Sequence, residues 1–276
     1  MGRGAFMTLC IAWKNQGVVR FASDSRLKFG NDSYADVGVK VLSLPYRVLS
    51  PVATDGLREV DFTGELGMCF AGSAVNSLTI KESIVEILKN LQYAPGYTDI
   101  SMESIAEFIF TTYKLISRRV CETDLAHNGR ADIIIGGLCP AMDVVRVFHF
   151  STDSQNNHSK IEILTQDNSE QFLGTGKISA ENDLPKNPSN IDYLNILESI
   201  IDDTSIDSVG GNIQYGEFRG NQFVVFGVLK FSKPEFDIKA HYWRGAIDLN
   251  SDEFITNHSN IVPGLSYIDP FDTIGI

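Results

Sequence analysis

Two hydrophobic periods alternate along this 276-residue chain, and their order constrains the fold more than any other feature. Residues 8–13 and 17–23 are mostly β-formers, and the turn cluster Lys14-Asn15-Gln16-Gly17 between them predicts an antiparallel hairpin. A third strand over 67–71 runs into Gly72-Ser73, after which Val75, Leu78, Ile84, Leu88 and Leu91 recur at helical spacing. Ser101 opens a second helical stretch, with Glu103 near its start and Ile105, Phe108, Ile109, Tyr113 and Ile116 along one face. Strands return over 131–137, 143–150 and 161–164, with a polar hairpin loop at 153–160. A third helix fits 191–201, and late strands fit 222–229 and 236–243. Strands, two helices, strands, one helix and strands predict an α+β domain in which helices cover stacked sheets, not a βαβ repeat.

The length is compatible with one such domain. A formal net charge of -12 opposes phosphate backbones and anionic lipid, so neither nucleic acid nor a membrane is an expected partner. There is no run of 18 apolar residues, and the segment ahead of Thr8 is too short for a signal peptide, which leads to an expected cytoplasmic location. Cys10, Cys69, Cys121 and Cys139 have no CxxC pairing and no histidine at ligand spacing, so they read as reduced core residues.

The segment Leu173-Gly174-Thr175-Gly176-Lys177 imitates the end of a P-loop but fails as one. Gln171 stands where the first glycine belongs and Ile178 where the magnesium-binding hydroxyl belongs. GxGxxG, GxSxG, HExxH and calcium-loop patterns are absent, and His149 falls within a strand as a core histidine would. What remains is Thr8. A threonine hydroxyl is a weak nucleophile unless a base takes its proton, and an N-terminal threonine can use its own α-amine. That amine has a reference pKa of about 7.7 to 8.0, so no histidine is needed. Such a site needs a carboxylate and a cation. Asp24 lies sixteen residues after Thr8 and Lys40 sixteen after Asp24. Spacing alone does not distinguish these two from ordinary surface residues.

The stretches TLCIAWKNQGVVRFASDSR, Lys40, FAGSAVNSL, ADIIIGG and FLGTGKISAEN, in this order, resemble the β-type subunits of the proteasome family of N-terminal nucleophile hydrolases. The resemblance runs over most of 8–228 and is strongest from Thr8 to Lys40. It implies a four-layer αββα sandwich with two antiparallel sheets between helix layers. It also implies a threonine-type endopeptidase with Thr8 as nucleophile and Asp24 and Lys40 as its partners. Gly72 matches the glycine whose N–H serves the oxyanion, and Phe70 falls on the S1-pocket position, where it would favour small P1 side chains. Thr175 replaces the serine of the family's Gly-Ser-Gly segment. Asp207-Ser208-Val209-Gly210-Gly211 departs from the Asp-x-x-Ser-Gly-Gly pattern and looks more like the Ser-Val-Gly stretch of the bacterial Anbu subgroup. Asp207 and Ser208 are therefore assigned supporting roles, with a plain helix-ending turn as the alternative.

Residues 1–7 would be a short propeptide, or an upstream start if translation begins at Met7. Cys10 is the rival nucleophile, but cutting there spoils both spacings. Residues 8–276 are expected to form one domain, with an insertion at 45–66 and an extension from about 229. The resemblance implies no cofactor and no metal. Its implied partners are copies of the chain in a ring or helical assembly, a peptide or unfolded-protein substrate, and an ATPase unfoldase as a further candidate. Two other readings stay open: an amidohydrolase acting on a small amide, and a non-catalytic structural subunit.

Overall fold

The computed structural model describes residues 8–29, 33–50, 59–94, 96–97, 100–123, 125–231, 238–245, 247–248, 266–269 and 271. In chain order the strands are β1 (Leu9–Asn15), β2 (Val18–Ser23), β3 (Leu27–Phe29), β4 (Ser33–Ala35), β5 (Val41–Leu49) and β6 (Val60–Gly72). They are followed by α1 (Ala74–Leu88), β7 (Leu91–Gln92), α2 (Met102–Cys121), β8 (Ala131–Cys139), β9 (Val144–Thr152), β10 (His158–Ile163) and β11 (Ser169–Gly174). The remainder is α3 (Lys177–Asp183), α4 (Asn190–Asp202), β12 (Gln214–Arg219), β13 (Gln222–Phe231), β14 (Ile238–Trp243), β15 (Ile247–Asp248) and β16 (Tyr267–Ile268). One sheet has the order β11-β1-β2-β12-β13-β14-β15, with β16 also beside β13; the second has the order β10-β9-β8-β6-β5-β7.

Side-chain alternation stacks these elements in four layers. From β1, Leu9, Ile11 and Trp13 pack with Tyr193, Leu194, Leu197 and Ile200 of α4, whereas Cys10 and Ala12 face the other sheet. From β6, Met68 and Phe70 pack under α1 and α2 with Ile80, Ile84, Ile105 and Ile109, whereas Cys69 and Ala71 face back between the sheets. Both faces of each central strand are buried, which is why these strands read as near-continuous apolar runs. The result is the expected α+β sandwich.

Local signals set the helix starts. Ser73 and Ser101 cap α1 and α2 by accepting the N–H of Asn76 and Ser104, and Ser189 with Asp192 forms a capping box on α4. Helix α3, only seven residues long, was not anticipated, nor were β5, β11 and β12. Within the segment 45–66, read as an insertion, residues 45–49 continue β5 and 60–66 open β6; the two pair antiparallel, Pro45 opposite Glu65, and 51–58 lie outside the described residues. Of the extension from 229, β14, β15 and β16 join the first sheet, and most of the rest lies outside the described residues, as does the segment 1–7.

Between the sheets the ring of Phe223 fills a slot left by glycines of both. A Cβ on Gly67 of β6 would lie 2.5 Å from the Phe223 ring and one on Gly216 of β12 would lie 2.6 Å from it, so neither position has room for a side chain. Phe223 also contacts Phe21 and Phe218, with ring centroids 5.1 and 4.9 Å away. Because neighbouring glycines have no side chains with which to refill the slot, Phe223→Ala is expected to lower stability by about 3–5 kcal/mol. The check is the urea midpoint at constant slope; an unchanged midpoint would show that the two sheets do not depend on this ring.

Candidate active site

Antiparallel register brings the first two residues of interest together. Strand β1 pairs with β2 so that Cys10 faces Ser23, and one step further along the ladder Asp24 N–H donates to the Leu9 carbonyl at 3.3 Å. Asp24 therefore lies beside the start of β1. On the other flank β11 pairs with β1, Leu9 opposite Gly174. Gly174 has φ 96°, and a Cβ there would lie 2.1 Å from the Thr8 carbonyl oxygen, so only glycine allows this approach. After Asp24 the chain makes the β3–β4 excursion and returns, with Gly38 N–H donating to the Ser25 carbonyl at 2.7 Å. It then enters β5 of the second sheet, and Lys40 is the last residue before that strand. The two spacings of sixteen thus have separate causes: a hairpin, and a loop that crosses from one sheet to the other.

The three side chains form one buried cluster. The Thr8 hydroxyl donates to Asp24 Oδ1 at 2.5 Å, and the Lys40 ammonium donates to the Thr8 Oγ and to Asp24 Oδ1, the latter at 2.8 Å. Thr8 and Asp24 have no exposed surface, and Lys40 is 2% exposed. A buried ion pair persists only when its remaining hydrogen-bonding capacity is met. Asp24 meets it through main-chain donors: Leu9 N–H on Oδ1 at 3.0 Å, and Arg26 N–H and Gly210 N–H on Oδ2, each at 3.1 Å. Chemically, a cation on a hydroxyl stabilises the alkoxide that forms when a base removes its proton.

A second layer holds these partners. The Thr175 hydroxyl lies 3.5 Å from the Thr8 carbonyl oxygen and 2.6 Å from the Ser208 hydroxyl. Gly176 N–H also donates to the Thr8 carbonyl, at 3.4 Å. Arg26 makes a two-point ion pair with Asp36 at 2.7 and 3.0 Å, lies 3.9 Å from the Tyr34 ring centroid, and donates to the carbonyls of Asp207 and Val209. Its guanidinium is pushed further toward the charged form, chiefly by the hydrogen bonds to Asp36. Gln214 accepts from Lys40 N–H and donates to the Asp24 carbonyl. Arg26, Gly210 and Gln214 were not singled out in the sequence. Arg26 sits two positions after Asp24 and could have been, whereas Gln214 is 190 residues from Asp24 and carries no local signal.

Two of the residues assigned from the sequence lie outside the hydrogen bonds of the Thr8 cluster. Phe70 is 1% exposed and packs in the core beneath α1 and α2, because strand alternation turns it away from the inter-sheet face. The Asp207 side chain is 68% exposed and pairs with Lys28 at 2.6 Å at the surface, outside the Thr8 cluster. Ser208 does stand beside Thr175, but not in a helix-ending turn, since α4 closes at Asp202. Gly72 ends β6 with φ 94° and takes no part in the hydrogen bonds around Thr8. Two residues before it, the Phe70 carbonyl accepts from the Cys10 thiol at 2.9 Å, which brings this end of β6 against β1. Cys10, Cys69 and Cys139 are free and buried, and Cys121 is free but only half-buried. Among the described residues no group of three His, Cys, Asp or Glu side chains could hold a metal ion, and no helix is long and apolar enough to cross a membrane.

No family model matches the chain, and no curated protein matches it in sequence. Solved structures do match in fold. The structure of Anbu (ancestral beta-subunit) from Yersinia bercovieri superposes with a TM-score of 0.54 at 20% identity, covering 79% of this chain and 86% of that one. The helical assembly of the Anbu complex from Pseudomonas aeruginosa gives a TM-score of 0.51 at 18% identity, with 90% of each chain covered. This chain therefore has the proteasome-like Anbu fold.

The cluster predicts a coupled effect on stability. Asp24→Ala leaves the Lys40 ammonium buried without its counter-charge and is expected to cost about 3–5 kcal/mol. Adding Lys40→Met removes that charge and should recover part of the loss. A denaturant-based double-mutant cycle tests this; additive losses would mean that the two groups do not stabilise each other in the folded chain.

Proposed function

We propose that this chain is a proteasome-like, threonine-type endopeptidase in which Thr8 is the nucleophile. The observation that carries the reading is the convergence of Asp24 and Lys40 on one buried threonine hydroxyl, in a cluster with neither histidine nor metal ligands. An acylated backbone nitrogen is not a base, so the residues ahead of Thr8 must be removed before its amine can act. Thr8 has φ 151°, a costly state for a β-branched residue. That torsion exists only while a peptide bond precedes Thr8, and cleavage at Met7–Thr8 relieves it.

In the freed chain the α-amine takes the Oγ proton while Oγ attacks a peptide carbonyl, and Lys40 stabilises the negative charge on Oγ as it develops. Asp24 fixes the Lys40 ammonium. The Gly72 N–H is the proposed donor to the carbonyl oxygen as it becomes an oxyanion. Collapse of the tetrahedral species expels the amine of the leaving peptide, which takes its proton from the Thr8 ammonium, and leaves an ester on Oγ. Water, deprotonated by the same amine, hydrolyses that ester and restores the hydroxyl. The Thr175 hydroxyl lies next to the Thr8 carbonyl oxygen, with the Ser208 hydroxyl on Thr175, and this pair would orient the Thr8 amine.

The proposed partners are copies of this chain in a ring or helical assembly, as the P. aeruginosa structure is a helical assembly, and the substrate is a peptide or an unfolded protein. An ATPase unfoldase would join them only where such an assembly encloses its sites. The proposed location is the cytoplasm.

Intact mass spectrometry after incubation with a β-lactone that acylates N-terminal threonine tests the reading. A chain beginning at Thr8 and carrying one adduct is expected. Thr8→Ala should carry none, and Lys40→Met should slow acylation by a factor on the order of 10³ or more. The rate should fall as pH drops below about 7.7, because the amine must be neutral to act as base. A chain that keeps Met7 and takes no adduct would support the non-catalytic reading. Acylation without turnover of any peptide, beside turnover of a small amide, would support an amidohydrolase.

A further inference from the structure

One buried side chain hydrogen-bonds the main chain at both Asp24 and Lys40. Gln214 is the first residue of β12, faces Ser23 across the β2–β12 ladder and has no exposed surface. Its amide oxygen accepts from Lys40 N–H at 2.9 Å and from Val41 N–H at 3.2 Å. Its amide nitrogen donates to the carbonyls of Gly38 at 2.6 Å and Asp24 at 3.2 Å. A primary amide has two N–H donors and one oxygen with two lone pairs, so these four bonds saturate it. The orientation is also fixed: a flipped amide would set donors against donors and acceptors against acceptors at all four contacts.

We infer that Gln214 is a positioning residue for the Thr8 nucleophile, setting the separation of Asp24 from Lys40 by clamping both ends of the connection between them. The inference rests on the hydrolytic reading above. Among the described residues, Gln214 is the one side chain that hydrogen-bonds the main chain of both Asp24 and Lys40. The contacts of Ser25 and Arg26 with Asp36 brace the β3–β4 excursion but do not reach residue 40. Without the clamp, the ammonium is carried by the sheet containing β5 and the carboxylate by the sheet containing β2, and the remaining links near them, the Lys40–Asp24 pair itself and the Cys10 thiol on the Phe70 carbonyl, do not fix the main chain at residues 24 and 40.

The role depends on both halves of the amide, and this separates positioning from bulk. Gln214→Glu keeps size and shape but turns two donors into an acceptor facing two carbonyls. The Lys40 and Val41 N–H groups on one oxygen favour the charge of that carboxylate, whereas full burial and the Asp24 and Gly38 carbonyls against the other oxygen oppose it, and these should make it take up a proton more readily than an exposed glutamate. Protonation restores one donor. Gln214→Leu removes all four bonds and cannot be repaired by acid.

The experiment measures β-lactone acylation of Thr8 in purified wild-type protein and both variants from about pH 6 to about pH 9, with thermal melts to establish that each is folded. Gln214→Glu is expected to lower the maximal acylation rate roughly 10- to 100-fold at high pH, with the inhibitor concentration for half-maximal rate little changed. Its deficit should shrink as pH falls, even though the wild-type rate is itself falling as the amine protonates. Gln214→Leu should show a deficit of similar size that does not shrink. A folded variant with the wild-type rate and pH profile would overturn the inference. So would failure of both variants to fold, which would make Gln214 a part of the scaffold only. Wild-type protein that takes no adduct would instead reject the hydrolytic reading, and the inference would fall with it.

Discussion

A lysine ammonium and an aspartate carboxylate share one buried threonine hydroxyl, and much of the architecture around them follows from that. Taking two charges out of water costs several kcal/mol per ion, and attraction within the pair offsets this only where the remaining lone pairs and protons are also satisfied. Asp24 accepts five hydrogen bonds, three of them from main-chain N–H groups of Leu9, Arg26 and Gly210. Those amides belong to the start of β1, the exit from β2 and the turn before β12. Satisfying one carboxylate therefore fixes three chain segments, and the ammonium that completes the cluster fixes the entry to the second sheet.

The support continues outward as a sequence of contacts, each with a reason. Gly210 can donate to Asp24 because the carbonyls of Asp207 and Val209 just before it are held by the Arg26 guanidinium. Arg26 is held in turn by Asp36 and by the face of Tyr34, both on the returning limb of the β3–β4 excursion. This fixed planar fork serves several acceptors at once, which an ammonium on a flexible stem would do poorly. The excursion between Asp24 and Lys40 thus supplies the brace for a turn more than 180 residues away.

How far the sequence discloses this arrangement depends on the range of the interaction. The first hairpin, the serine caps of α1 and α2 and the apolar face of α4 are local, and the pattern of neighbouring residues displays them. The Thr8, Asp24 and Lys40 spacings were visible because a hairpin and one loop set them. Phe70 shows the limit. Its strand was legible, but a strand buried on both faces has no polar side to orient it, so the choice between core and pocket could not be made from the pattern. Asp207 was assigned from the resemblance of 207–211 to a family motif, and the pattern does not tell that its side chain meets Lys28 at the surface while the neighbouring Ser208 meets Thr175. Gln214 lies beyond any such reading, since all its partners are at least 173 residues away and a glutamine opening a strand looks like an ordinary edge position.

The two kinds of interior in this molecule tolerate change differently. A fold shared with solved structures at 18 to 20% identity can be maintained with most of its side chains exchanged, because apolar cores accept extensive replacement when volume and pattern are kept. The seam between the sheets at Thr8 has no such freedom. Replacing one member of the Asp24–Lys40 pair strands the other, and replacing Gln214 leaves two N–H groups and two carbonyls buried without partners. Each residue in the seam depends on the others, so a single replacement there costs more than an exchange of the cluster as a unit. That interdependence gives a few polar residues more weight in the functional argument than the much larger apolar core, whose pattern specifies the sandwich and says nothing about the chemistry at its seam.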